Sequence, residues 1–252
     1  MSGYIAFVKK EFMENMKNYR FFILFAIFLI FGIMSAFLAK YTPEILSAFS
    51  ADMEMTSAPA ALDAWKQFYK NISGVGFSAF IILYGSCLSS EYSKGTLVLM
   101  VTKGLPRKAV ILAKYTVAAV LMTICYWSSY AAAYGYTAFL WHDTSLLHVP
   151  LAAFALWLIG FLYLSILMIG CVIFKQTFTT ILFTGGIVAV ISLLGVIEPI
   201  AEFNPFLLTS KNVDLLSGET VPSDFIVPAL LSAAISILGL LTAIKLFNKK
   251  QL

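Results

Sequence analysis

The chain has 252 residues, of which 60% are hydrophobic and only 12% charged, and its mean hydropathy is +0.89. A soluble domain of this length cannot hide so much apolar area, because much of any folded surface stays in water; a soluble fold is excluded and an integral membrane protein remains. The net charge of +4 is small; its distribution along the chain is informative, and no nucleic-acid partner is expected.

Residues 2–20 place Ile5, Val8, Phe12, Met16 and Tyr19 three or four apart, with Lys9, Lys10, Glu11, Glu14, Lys17 and Arg20 between them. This pattern predicts an amphipathic helix lying in the membrane interface. The apolar run that follows, 21–39, is too long for a signal-peptide core and no A-x-A site closes it, so the first helix is expected to be retained.

About 20 apolar residues cross a bilayer, and that ruler predicts six spans, near 21–39, 72–90, 113–140, 151–174, 177–197 and 225–246. The fold class is therefore all-α, six transmembrane helices preceded by an interfacial helix, in a single transmembrane domain over 1–252. Span three is longer than required, and Tyr126, Trp127, Tyr130, Tyr134, Tyr136 and Trp141 crowd its far half, as expected near an interface.

With the N-terminus inside, 13 of the 17 Lys and Arg fall on inside segments, leaving Lys40, Lys66, Lys70 and Lys211 outside. Ten of the 13 Asp and Glu go the other way. Both termini are expected in the cytoplasm. In the outside loop 40–71, Thr42 is expected to cap a helix with Pro43 at its first position, and Leu62, Trp65 and Phe68 share a helical face. The loop at 141–150 reads as a short turn, and 198–224 as a broken helix or re-entrant segment followed by a turn.

No span carries Asp, Glu, Lys, Arg or His near its centre, which argues against an ion-coupled transporter or an intramembrane enzyme. No G-x-x-x-x-G-K-[ST] occurs, so the chain is not expected to bind nucleotide itself. No catalytic residue and no metal site is expected: His142, Asp143 and His148 read as solvated turn residues, and Glu198 with Glu202 as a solvated helix end. Cys87, Cys125 and Cys171 lie within apolar spans and read as small hydrophobes, with no disulfide and no redox site. Small residues, Gly185, Gly186 and Ala189 in span five and Gly74, Ser78, Gly85 and Ser86 in span two, suit close helix packing within the chain or in a dimer.

The segment 89–114 stands apart. It carries Glu91, Lys94, Lys103, Arg107, Lys108 and Lys114 between two apolar spans. Basic residues alone would satisfy topology and meet anionic lipid, but Glu91 is an acid where only bases are needed. Leu97 to Met100 form a short apolar stretch, and Gly104-Leu105-Pro106 forces a turn before Arg107. The predicted result is a helix–turn–helix bracket.

Glu91-Tyr-Ser-Lys-Gly-Thr-Leu, then Thr102-Lys-Gly-Leu-Pro-Arg107, then Lys114-Tyr resembles the permease subunit of ABC-2 type transporters. The resemblance extends over the whole chain through the N-terminal helix, the six spans and the broken stretch before the last. It departs at Gly104, where the family often has Pro, and at Ala113 before the Lys. It implies an exporter of the type V architecture whose insert is a coupling helix docked on a separate ATP-binding subunit, where ATP and magnesium would bind. Glu91, Lys94, Gly95, Thr96, Arg107 and Lys108 are the implied coupling residues. The implied complex pairs the permease with itself or a similar chain, in a bacterial cytoplasmic membrane. The implied cargo is hydrophobic or amphipathic, as in half-size exporters of antimicrobial peptides, bacteriocins and phenol-soluble modulins. A small-molecule, lipid or drug exporter, a non-transporting sensor or scaffold that recruits a soluble partner, and an ATP-independent channel remain alternatives.

Overall fold

A computed structural model describes residues 2–49, 59–102, 104–141 and 146–250. In chain order its helices are α1 (Ser2–Lys17), α2 (Arg20–Phe49), α3 (Ala61–Asn71), α4 (Phe77–Tyr84), α5 (Ser89–Ser93), α6 (Thr96–Thr102), α7 (Arg107–Leu140) and α8 (Val149–Ile173). They continue with α9 (Thr177–Leu194), α10 (Glu198–Ala201), α11 (Leu207–Ser210), α12 (Asn212–Ser217) and α13 (Ile226–Lys249). No strand occurs among the described residues. Six helical stretches are long and apolar enough to cross a membrane, and the chain is an all-α multi-pass membrane protein.

The core is built on α7 and α8, whose inner faces are buried, with α2 and α13 packed against them and α9 at the periphery. Helix α7 has 34 residues, a rise of about 51 Å at 1.5 Å per residue, so it projects well past a hydrocarbon layer about 30 Å thick. Gly32 of α2 makes a close helix approach. A Cβ there would stand 2.5 Å from the Ser129 carbonyl oxygen of α7, and the Ser129 hydroxyl donates to the Phe28 carbonyl at 2.6 Å. Large apolar side chains such as Phe139, Phe178, Leu230 and Leu238 are exposed, which suits a surface solvated by lipid.

Two segments differ from the sequence expectation, and a third, 198–224, is the broken helix it described. Helix α2 runs through Thr42 and Pro43 without a new cap. The Thr42 hydroxyl donates back to the Leu38 carbonyl, a bond that competes with forward capping. Helix α3 does not stand as a separate loop helix: it continues through a π-helical turn, Ile72–Gly76, into α4. Its Trp65 and Phe68 are buried against Tyr130 and Tyr126 of α7, so the aromatic belt expected on span three is an internal cluster as much as an interface. The stretch 198–224 folds as short helices pinned by buried Asn204, whose amide donates to the Ile191 carbonyl at 2.7 Å.

Helix α1 meets α2 at an elbow where Tyr19 adopts φ +57. Its faces are arranged for lipid: Ile5, Phe12 and Tyr19 are exposed, whereas Phe7, Glu11 and Asn15 are buried against the bundle. Glu11 and Asn15 turn inward with Phe7, while of the apolar stripe Ile5 and Phe12 turn out and Val8 and Met16 lie half-buried against the core.

Candidate functional site

The charges of α1 and of the insert converge at one end of the bundle. The Lys10 ammonium lies 2.8 Å from Glu11 Oε1, 2.8 Å from Glu14 Oε2 and 2.8 Å from Glu91 Oε1. Lys114, in the second turn of α7, lies 2.9 Å from Glu11 Oε2 and 3.1 Å from Glu91 Oε2. Only the first of these two has hydrogen-bond geometry; the second is a charge contact. Glu11, Glu91 and Lys114 are almost fully buried. Three carboxylates therefore share two ammonium groups across α1, α5 and α7. Glu11, Glu14 and Glu91 bring carboxylate oxygens within 4.8 Å of one another, and the Lys10 ammonium bonds to all three.

The electrostatics follow from this sharing. Burial by itself favours the neutral amine of Lys10, but hydrogen bonds to Glu11, Glu14 and Glu91 outweigh it and hold the pKa above its ordinary value. Burial likewise opposes the charged form of Glu14, yet the Lys10 ammonium holds its carboxyl below the usual range.

A second set of contacts fastens the insert to the end of the chain. Arg107, the first residue of α7, donates from Nη1 to the carbonyls of Phe247 at 3.4 Å, Asn248 at 3.3 Å and Lys250. These carbonyls lie at the C-terminus of α13, where a cation also meets the negative end of the helix dipole. Lys250 in turn donates to the carbonyls of Val172 and Ile173 at the end of α8 and sits 4.8 Å over the Tyr92 ring. Its pKa is lowered by partial burial and by Lys175. The root of the insert is also held by Ser89 against Thr177 at 2.6 Å and by Arg20, which donates to Ser86 Oγ at 2.8 Å.

The six residues singled out in the sequence thus divide. Glu91 and Arg107 point inward and bond within the chain. Lys94, Gly95 and Lys108 are exposed. Thr96 is half-buried and its hydroxyl donates to the Glu91 carbonyl at 3.4 Å. Gly95 at φ +66 and Gly104 at φ +89 bracket α6 with left-handed turns that favour glycine. Val98 and Leu99 of α6 are exposed, and a groove of about 930 Å³ runs between α1 and the insert past Tyr4, Phe7, Leu105, Pro106 and Lys108. Lys103 lies outside the described residues.

Sequence reasoning missed Lys10 and Lys114 as partners of Glu91, and Glu11 as the second carboxylate that shares them. It placed Lys10 and Glu11 on the polar face of an interfacial helix and used Lys114 for topology and for the family pattern. The available signal was that Glu11 and Glu14, like Glu91, are acids in segments where topology asks for bases. Gly185, Gly186 and Ala189 are exposed on α9, and among the described residues a Cβ at either glycine would meet nothing within 4 Å. Gly185 and Ala189 border a groove of about 400 Å³ shared with Ser78, Tyr163 and Thr209. His142 and Asp143 lie outside the described residues, and His148 is the N-cap of α8.

The family model described as "ABC-2 family transporter protein" matches residues 5–214, a stretch that holds α1, the insert and every charged residue of the Glu91 cluster. Among curated proteins, none matches the chain.

Proposed function

Because the chain belongs to the ABC-2 transporter family, and is thus a membrane permease component that pairs with an ABC ATP-binding subunit, we propose that it exports hydrophobic or amphipathic cargo, peptides above all. In this reading the membrane is the bacterial cytoplasmic membrane, both termini are inside, and ATP with magnesium binds on the separate subunit. The insert is the coupling element. The exposed Lys94, Gly95, Lys108 and the apolar Val98–Leu99 face meet the ATPase, while Glu91 and Arg107 carry the displacement onward.

The observation that carries this reading is the bonding of Glu91 to both Lys10 and Lys114. A push on the insert then reaches α1 and α7 through one carboxylate, since charges buried this tightly move together or are left unpaired at high cost. The open Gly185–Ala189 face of α9 supports pairing with a second copy of the chain or a similar permease, because small residues allow close helix approach. The absence of charge near the span centres supports cargo of low polarity.

The test is co-purification with the candidate ATPase, comparing the natural chain with Lys94→Glu, Glu91→Ala and Arg107→Glu. Lys94→Glu should lose the complex. Glu91→Ala and Arg107→Glu should keep measurable complex while ATP turnover no longer responds to cargo. Failure of any ATPase to bind the natural chain, or wild-type behaviour of all three variants, overturns the coupling role.

A further inference from the structure

Cys87 and Cys171 lie 84 positions apart in the chain, and their sulfurs face each other at 3.4 Å. Cys171 sits in the last turn of α8, and Cys87 in the irregular turn 85–88 between α4 and α5, four residues before Glu91. Cys171 Sγ also lies 3.6 Å from the Gly85 carbonyl. The third cysteine, Cys125, is buried in α7.

A lone buried thiol acts as a small hydrophobe; two thiols in contact can also be joined. A disulfide needs its sulfurs about 2.05 Å apart, so the pair has to close by only about 1.4 Å. The turn at 85–88 belongs to no regular helix and can supply that movement. The two sulfurs are not equivalent: Cys87 is 9% exposed and Cys171 1%, so an oxidant reaches Cys87 first.

We propose that Cys87 and Cys171 form a redox modification site, which hydrogen peroxide converts to an intramolecular disulfide. Cys87, as its thiolate, attacks one peroxide oxygen; the O–O bond breaks, giving a sulfenic acid, and the departing hydroxide takes up the proton released by the thiol as water. Cys171 sulfur then attacks the sulfenic sulfur, the S–OH bond breaks, the S–S bond forms and a second water leaves. Each cysteine sulfur gives up one electron, and peroxide accepts two. The bridge fastens the root of the insert to the end of α8, beside the Ser89–Thr177 and Lys250–Tyr92 contacts.

The methionines make the test clean. Cleavage at Met55, Met100, Met122 and Met168 with cyanogen bromide puts Cys87 on fragment 56–100, Cys125 on 123–168 and Cys171 on 169–252. The full chain in lipid nanodiscs is treated with peroxide, quenched, denatured, and its thiols counted with a maleimide-polyethylene glycol reagent. A parallel sample is oxidised with diamide, which spares methionine, alkylated and cleaved without reductant. The expected count falls from three thiols to one, and mass spectrometry finds 56–100 joined to 169–252. Three thiols surviving peroxide, or a junction that includes 123–168, overturns the proposal. Both readouts report a covalent bond and are independent of any ATPase.

Discussion

Lys114 Nζ lies 2.9 Å from Glu11 Oε2 although 103 positions separate them, and neither side chain has appreciable contact with solvent. Removing one partner of such a pair leaves a buried charge unmatched, which typically costs about 3–5 kcal/mol. Lys114→Met is expected to lower the thermal stability of the purified chain by an amount in that range. Lys10→Met removes a half-exposed ammonium that water can partly replace, and should cost less than Lys114→Met. Equal melting of Lys114→Met and the natural chain in thermal denaturation would contradict the arrangement.

Acid should loosen the α1 contact before neutral pH does anything to it. Glu14 titrates below its ordinary value of 4.5 when folded, so its stabilisation is complete above that value and disappears as pH falls through the lower folded pKa. Lys10 titrates above its ordinary 10.5, so its contribution is complete below 10.5 and lost as pH rises through the higher folded value. The contribution of the Lys10–Glu14 pair should therefore be flat between these limits and fall on the acid side, and Glu14→Gln should shrink that acid-side fall. Melting curves across pH would check it.

Two glycine substitutions should separate packing within the chain from packing outside it. Gly32→Ala puts a methyl group 2.5 Å from the Ser129 carbonyl oxygen, and forcing α2 from α7 is expected to cost about 1–3 kcal/mol. Gly185→Ala enters open space and should leave the melting of the single chain unchanged or slightly raised, since alanine favours helix. If Gly185→Ala weakens self-association in nanodiscs, the α9 face is a permease–permease contact.

Arg107→Ala removes the cation that closes the C-terminus of α13. The loss should be on the order of 1 kcal/mol and local. Hydrogen exchange at 245–250 should accelerate, while exchange in the middle of α7 and α8 stays as in the natural chain. Lys108→Ala, one residue on and exposed, should do neither.

That last contrast marks where sequence reading stops. Arg107 and Lys108 are adjacent, both basic and both at the start of a helix, and nothing local says that one reaches carbonyls 140 positions away. The six spans were legible because their apolar stretches match the thickness of a bilayer, and the family was legible from the Glu91–Arg107 pattern. The two faces of α1 were legible too, as periodicity. Which face meets protein was not, because a 3.6-residue repeat separates the faces without naming the medium each one touches. Thr42 and Pro43 carried a valid capping signal that the already formed helix α2 overrode.

The α1 cluster also orders events as the chain is made. Lys10 and Glu11 leave the ribosome long before their partners: Glu91 follows Lys10 by 81 residues, and Lys114 follows Glu11 by 103. Until the third span begins to emerge, α1 is held at the membrane surface by its apolar stripe and its junction with α2, without the long-range partners of Lys10 and Glu11. Helix α1 is thus synthesised before the elements that fix it, and its docking waits until the insert has been made and seated.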